Sequence, residues 1–295
     1  MPMNRPVVVG VDGSPSSLVA AEHAARAALL RSRPLLLVHG YLHPLGYGVP
    51  INPYDIGVPV PSEKAQKMLE RTAADLADRW PGLVVEVRQV AGGPGITMVE
   101  ESRRAELVVV GSRGLGGFAG LLLGSVSAQV AAHAHCPVLV VRPDAQPIPM
   151  DGPVLVGVDG SESSRLAAGY GATEAALRDV PLVLVHVTPS DGEDRAVPEE
   201  IEESQAAYQA EAVRLLADAS AAVRAAQPDL VVREHPVRAA GAAQGLIEAS
   251  GTASLLVVGT RGRAGFTGLL LGSVSQAAIG HAHCPVLVAH PHAVS

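Results

Sequence analysis

Basic residues and cysteines are scarce in this sequence of 295 residues. Lys and Arg number 22 against 29 Asp and Glu, which gives a formal net charge of −7 at pH 7. Such a chain lacks the broad positive field that attracts nucleic acid or an anionic membrane, so we expect neither as a partner. The only lysines, Lys64 and Lys67, leave few candidates for chemistry that needs a lysine.

Long apolar runs are missing as well. No segment approaches the roughly 18 consecutive apolar residues that a membrane-spanning helix needs, and the first residues contain no apolar core of a signal peptide. We therefore expect a cytoplasmic protein without a membrane anchor. The two cysteines, Cys136 and Cys284, occupy equivalent places in a repeat, which does not indicate a disulfide framework.

The sequence does contain an internal repeat. The segment PVVVGVDGS at 6–14 returns as PVLVGVDGS at 153–161. Residues 108–143 return at 256–291 with 24 of 36 positions identical, which indicates duplication of a whole domain. Because a stretch rich in Pro, Asp and Gly separates the halves, we predict two domains, 1–147 and 148–295.

Each half alternates short β-branched runs with longer alanine-rich segments, a pattern typical of βαβ units on a parallel sheet. Five such runs fall in each half. We therefore predict two tandem Rossmann-like α/β domains of flavodoxin size, each a five-stranded parallel sheet with helices on both faces. In such sheets a ligand binds outside the carboxyl ends of the strands, where the strand order reverses.

A glycine pattern follows the fourth predicted strand of each half: Gly-x-x-Gly, nine residues, then Gly-Ser. Glycine lets the backbone turn and approach a ligand closely, and a Gly-Ser pair that opens a helix offers N–H groups to an anion. No Asp or Glu occurs between 107 and 143 or between 254 and 295, while arginines stand in both loops. The predicted ligand-binding loop residues are Gly111, Ser112, Arg113, Gly114, Gly117, Gly124 and Ser125, with Gly259, Thr260, Arg261, Gly262, Gly265, Gly272 and Ser273 in the second half. The alternative is that these are ordinary loop and cap residues.

A carboxylate ends the first predicted strand of each half. Asp12 and Asp159 stand in the same Gly-Val-Asp-Gly-Ser context, where a carboxylate accepts hydrogen bonds from a ribose hydroxyl or an adenine amino group. Their alternative role is to cap the following helix. Gly10 and Gly157, two residues earlier, leave backbone exposed for a ligand.

Three motifs, each present twice, resemble those of the universal stress proteins in their tandem two-domain form. They are the first-strand Val-Gly-Val-Asp-Gly-Ser, the glycine spacing described above, and the closing His-Ala-His-Cys-Pro-Val-Leu-Val. The resemblance covers essentially the whole chain. It implies a Rossmann-like five-stranded domain, and the glycine spacing is that of the family's ATP-binding subgroup.

The resemblance also implies roles for individual residues. Asp12, Asp159 and the strand-end glycines Gly10 and Gly157 would contact the adenosine part of ATP, and the glycine loops would wrap the ribose and phosphates. The helix-end residues that would supply N–H groups and hydroxyls are Ser125, Val126, Ser127, Ser273, Val274 and Ser275. An accompanying Mg²⁺ would be held by phosphates and water because the loops contain no carboxylate, so no protein metal site is predicted.

The family role implied is a nucleotide-dependent sensor or regulator in stress adaptation or growth arrest. The two domains would pair as an intramolecular pseudo-dimer, and a homodimer of chains is left open. Slow ATP hydrolysis and a nucleotide-free interaction scaffold are the alternatives. The loops supply no general base near the phosphates, so at most weak turnover is expected and no catalytic residue is predicted.

Other nucleotide and hydrolase motifs are missing. The chain contains no Gly-Lys pair for a P-loop and no Gly-x-Ser-x-Gly elbow. A dinucleotide fingerprint that fits the first half at 114–119 is broken in the second half at Ala264. The paired His-Ala-His-Cys segments have residue types that suit zinc but an unfamiliar spacing, so a zinc site is a weak alternative.

Overall fold

The computed structural model describes residues 5–41, 61–115, 123–143, 151–190, 199–262 and 270–292, without the side chains of 199–204. Contacts divide the chain into two units, Met1–Asp144 with Pro291–Ser295, and Ala145–His290. The predicted boundary between 147 and 148 falls at residues outside the described ranges and stays a prediction. Within the described ranges, no helix is both long and apolar enough to cross a membrane.

The first unit is a parallel sheet of five strands in the order β3-β2-β1-β4-β5. Its elements are β1 (Val7–Gly10), α1 (Pro15–Leu30), β2 (Leu35–Tyr41), α2 (Glu63–Arg79), β3 (Val85–Ala91), α3 (Pro94–Glu101), β4 (Leu107–Gly111), α4 (Ser125–His133) and β5 (Val138–Val141).

The second unit repeats this topology as β8-β7-β6-β9-β10, again with parallel strands. Its elements are β6 (Val154–Gly157), α5 (Glu162–Arg178), β7 (Leu182–Pro189), α6 (Glu199–Ala226), β8 (Val232–Ala239), α7 (Ala242–Ala249), a 3₁₀ turn at Ser250–Thr252, β9 (Leu255–Gly259), α8 (Ser273–His281) and β10 (Val286–Ala289). The predicted fold class, two tandem Rossmann-like α/β domains, is therefore confirmed.

The central strands are apolar along their whole length because helices cover both faces of each sheet. Val7, Val8 and Val9 of β1 are at most 1% exposed, although successive side chains point to opposite faces. On one face α1 packs against β1 and β4, and α2 lies beside it, while α3 packs against α4 on the other face. This arrangement leaves the carboxyl edge of β1 and β4 as the place where a ligand can approach.

Candidate functional site

The strand order reverses at β1 in the first unit and at β6 in the second. The connection from β1 leads to β2 on one side, whereas β4 lies on its other side, so the loops that follow β1 and β4 leave a crevice between them. The predicted aspartates and glycine loops therefore meet at the same edge of each sheet.

The carboxylate of Asp12 holds this edge together. Its Oδ1 accepts a hydrogen bond from the Ser14 N–H, and its Oδ2 accepts one from the Leu115 N–H, each at 2.9 Å. Burial alone would raise the pKa of Asp12, but the hydrogen bonds from Ser14, Leu115 and Ser17 outweigh it and hold the pKa below its ordinary value. Asp12 is thus an ionised acceptor that joins the first strand to the glycine loop.

The second glycine of each loop is required by this carboxylate. A Cβ on Gly114 would lie 2.6 Å from Asp12 Oδ2, and a Cβ on Gly262 would lie 2.6 Å from Asp159 Oδ2. Asp159 also accepts a hydrogen bond from the Ser161 N–H at 2.9 Å, as Asp12 does from its own turn. A side chain there would have to displace the carboxylate oxygen, which in the first unit accepts the hydrogen bond from Leu115.

The structure gives a packing reason for the first glycine of each loop, in addition to the approach of a ligand that the sequence analysis predicts. A Cβ on Gly111 would lie 2.7 Å from the Ser16 carbonyl oxygen, and a Cβ on Gly259 would lie 2.9 Å from the Ser163 carbonyl carbon. The missing side chains admit the first turns of α1 and α5. Gly259 also lines the cavity described below, and ligand contact by these glycines stays a prediction.

The second glycine-serine pair opens helices α4 and α8. Gly124 and Gly272 are the N-cap residues, and among the described residues no side chain caps either helix. Each cap glycine instead donates its own N–H to the loop, Gly124 to the Ser112 oxygen and Gly272 to the Thr260 oxygen at 2.7 Å. Uncapped first-turn N–H groups give these helix ends a positive partial charge that suits an anion.

Ser127 and Ser275 lie in the first turns of α4 and α8, and their hydroxyls bond to the glycine loops. The Ser127 hydroxyl donates to the Gly111 oxygen at 2.7 Å, and the Ser275 hydroxyl donates to the Gly259 oxygen at 2.6 Å. Both residues are buried. Ser125 and Ser273, by contrast, are exposed at the first position of their helices.

Helix α1, which begins at the same edge of the sheet, has a side-chain cap and serves as a comparison. The Ser14 hydroxyl accepts from the Ser17 N–H at 3.2 Å, and the Ser17 hydroxyl donates back to the Ser14 oxygen. The equivalent pair, Ser161 and Ser164, caps α5 in the same way. Helices α4 and α8 lack such a cap, as do α3 and α7, but only α4 and α8 begin directly after the glycine loops.

A cavity occupies this edge in the second unit. It is lined by Gly157, Val158, Asp159, Ser164, Val185, His186, Val187, Ala242, Leu246, Val258, Gly259, Arg261, Gly262, Val274 and Ser275. Seven of these residues were predicted from the sequence or by the resemblance as ligand contacts. The cavity volume is about 110 Å³, which is less than the roughly 300 Å³ or more of pockets that enclose a whole small-molecule ligand.

The sequence analysis missed the wall formed by β7 and α7. His186 on β7 lines the cavity, and its Nδ1 lies 2.6 Å from the Val158 oxygen; His39 and Val11 make the same contact at 2.8 Å in the first unit. Since a carbonyl only accepts, Nδ1 is the donor in both rings. The signal available in the sequence was a histidine at the same place in the second strand of both halves.

The remaining predicted loop residues lie at the same edge with mixed exposure. Ser112 is 1% exposed, so its side chain faces the interior. The Thr260 hydroxyl lies 3.3 Å from the hydroxyl of Ser163, and the Arg261 N–H donates to that same hydroxyl at 3.4 Å. The Arg113 N–H makes the equivalent bond to Ser16. Gly117 and Gly265 lie outside the described residues.

The His-Cys segments carry buried thiols. Burial raises the pKa of Cys136 and of Cys284 to about 12, so both are protonated at neutral pH, whereas zinc binding and nucleophilic attack use the thiolate. His133 lies in the last turn of α4, where a histidine suits the negative end of the helix. Within the described ranges, no three His, Cys, Asp or Glu residues are grouped so as to hold a metal ion.

The fold and this edge define each unit as a Rossmann-like α/β domain with a glycine-loop crevice. Residues 3–142 and 150–290 each match the universal stress protein family. Universal stress protein Rv2623 of Mycobacterium tuberculosis is 39% identical over 293 residues, covering 96% of this chain and 95% of that protein. Universal stress protein Rv2005c of the same species is 40% identical over 294 residues, covering 96% of both.

Among solved structures, a universal stress protein from Archaeoglobus fulgidus DSM 4304 matches with a TM-score of 0.69 at 21% identity. The match covers 98% of this chain and 99% of that chain, and it shows the shared fold. The chain belongs to the universal stress protein family and carries two tandem domains of that family.

Proposed function

We propose that each unit binds ATP and that nucleotide occupancy, rather than rapid turnover, is the signal that the protein provides. One observation carries the proposal. In both units an acceptor carboxylate, Asp12 or Asp159, shares the carboxyl edge of the sheet with a helix end that has no side-chain cap. A nucleoside supplies hydroxyl and amino donors to a carboxylate, and its phosphates suit the N–H groups of a helix end.

The cavity of the second unit supports an orientation for the ligand. The lining that comes from β7 and α7 is apolar apart from His186, with Val185, Val187, Ala242 and Leu246. The lining from the glycine loop and α8 includes Arg261 and Val274. In the proposed orientation the base packs on β7 and α7, and the phosphates extend toward α8, beyond a cavity too small to enclose the whole nucleotide.

Magnesium fits this proposal as a partner of the phosphates. The described loop residues contain no carboxylate, and Asp12 is already an acceptor for two backbone N–H groups. Mg²⁺ retains several waters and binds readily through nucleotide phosphates. The cation therefore enters with ATP and does not occupy a site of its own in the protein.

Slow turnover follows from the proposed orientation. Activation of water at the γ-phosphate needs a positioned general base. The titratable bases that line the cavity are Asp159 and His186. The proposal assigns Asp159 to the nucleoside, and His186 lies between Val185 and Val187 on the β7 side where the base is placed, so neither is assigned to the γ-phosphate. ATP hydrolysis, if measured, is slower than nucleotide exchange.

The test is the nucleotide content and binding capacity of the purified chain. Protein purified without added nucleotide is denatured, and the released adenine nucleotide is measured by chromatography; the emptied protein is then titrated with Mg-ATP. The proposal expects close to two sites per chain with ATP recovered intact. A chain that carries no nucleotide and binds none on titration contradicts it and favours an interaction scaffold.

The wider role follows the family. We propose a regulator of stress adaptation or growth arrest that acts in the cytoplasm, with the two domains paired as a pseudo-dimer. Cell fractionation tests the location. Light scattering with and without ATP tests whether a homodimer of chains forms.

A further inference from the structure

The last part of the second strand differs between the two units. The strands β2 and β7 run opposite β1 and β6 in the same register, so Gly40 of β2 is equivalent to Val187 of β7. At this position the first unit has glycine, and the second unit has the branched apolar side chain of Val187.

The helix that packs on this strand shows the reverse difference. Met98 of α3 and Leu246 of α7 each fill the space beside the glycine that ends the first strand. The residues that precede them, Thr97 and Gly245, are therefore equivalent. Here the first unit has the side chain and the second unit has the glycine.

The two differences compensate for each other. A Cβ on Gly40 would lie 2.8 Å from the Pro94 Cα and 3.2 Å from the Thr97 hydroxyl oxygen. A Cβ on Gly245 would lie 2.8 and 2.9 Å from the two methyl groups of Val187. Each unit thus places one side chain at this contact, from the helix in the first unit and from the strand in the second.

The contact matters for ligand binding because it forms one wall of the cavity. Val187 lines the cavity of the second unit together with Ala242 and Leu246. The equivalent strand position in the first unit, Gly40, has no side chain. Thr97 is 4% exposed, so its side chain is almost fully taken up by the contact and offers little surface to a ligand.

We propose that this exchange makes the two nucleotide sites unequal and that the second unit holds the base of an adenine nucleotide more tightly than the first. The inference rests on the proposed function. Each methyl group of Val187 that packs on the base changes the dissociation constant by roughly fourfold, so two methyl groups give about fifteenfold.

The test is a titration of the emptied full-length chain with Mg-ATP that resolves two dissociation constants. Wild type shows two classes of site whose dissociation constants differ by about fifteenfold. Val187→Ala weakens the tighter class alone, which brings the two constants together. Val187→Thr keeps the volume that supports α7 but replaces one methyl group with a hydroxyl, and it weakens the tighter class by roughly fourfold.

Val231→Ala is the matched control, because Val231 is 55% exposed in the same unit and does not line the cavity. It leaves both constants unchanged. Two sites of equal affinity in wild type, or a Val187→Thr variant that binds like wild type, overturn the inference while ATP binding stands. A chain that binds no ATP at all overturns the proposed function and this inference with it.

Discussion

The Leu115 N–H donates to Asp12 Oδ2 at 2.9 Å across a separation of 103 residues in the sequence. This bond joins the end of β1 to the loop after β4 without any ligand. The carboxylate that the sequence predicts as a nucleotide contact is thus also a structural acceptor for the glycine loop. A nucleotide that bonds to Asp12 has to share it with the protein.

Replacement of Asp12 by asparagine tests whether this carboxylate holds the glycine loop in place. The amide oxygen can still accept from the Ser14 N–H, but the amide nitrogen then faces the Leu115 N–H, donor against donor. Loss of one partly buried bond costs about 1 kcal/mol in the free energy of unfolding. Hydrogen exchange of the Leu115 amide should accelerate; an unchanged rate would show that the loop does not depend on Asp12.

Because the pKa of Asp12 is low, its contribution to the free energy of unfolding depends on pH. Because the folded-state pKa lies below the ordinary value of 3.8, the ionised carboxylate stabilises the fold fully above that value, and the contribution is lost as the pH falls through the folded-state pKa. Urea unfolding of wild type and Asp12→Asn across acidic pH measures this. The difference between the two proteins should be constant near neutrality and shrink below pH 3.8; a difference that grows toward low pH would contradict the sign.

The glycines that face helix backbone give a prediction about stability that can be tested without nucleotide. Gly111→Ala and Gly259→Ala insert a Cβ against the backbone of Ser16 and Ser163, where no flexible side chain alone can relieve the clash. Each should cost about 1–3 kcal/mol in the free energy of unfolding.

Gly169→Ala is the control for these two variants. Gly169 is an exposed residue within α5, and a Cβ there meets no atom within 4 Å. Alanine should stabilise the helix by roughly 0.5–1 kcal/mol. Thermal unfolding of all three variants without nucleotide checks the comparison, and equal stability of Gly111→Ala and wild type would remove the packing explanation.

A buried ion pair in α5 gives an independent prediction. Arg178 lies 3.0 Å from Glu174, whose side chain is 5% exposed, and burial lowers the pKa of Arg178 to about 10. Arg178→Met leaves the glutamate charge buried and should destabilise the protein by roughly 3 kcal/mol. The double variant with Glu174→Leu should recover part of that loss in urea unfolding; additive losses would show that the two residues do not interact.

The fold could be predicted from the sequence because its signals are local. Strands such as Val7–Gly10 are apolar runs, helices such as Pro15–Leu30 follow a capping serine, and both patterns occur twice. The spacing of the glycine loops also indicated which residues share the carboxyl edge, although it could not show that Gly111 is set by Ser16.

Contacts through space were not predictable in the same way. The approach of Gly114 to Asp12 joins segments about a hundred residues apart, and only the packed sheet brings them together. The sequence could not show that Gly40 and Val187 occupy equivalent positions against a helix. That contact depends on how the helix packs on the strand, which the sequence pattern does not fix.

The central claim is that α4 and α8 receive the phosphates, and charge at the exposed first residue of each helix tests it most directly. Ser125→Glu and Ser273→Glu favour the helix because a carboxylate suits its positive end, yet they repel a phosphate. Ser125→Gln and Ser273→Gln are the neutral controls of equal size. Titration with Mg-ATP should find one site fewer in each glutamate variant and none in the double variant, with both sites kept in the glutamine controls. Full binding by the double glutamate variant would contradict the account.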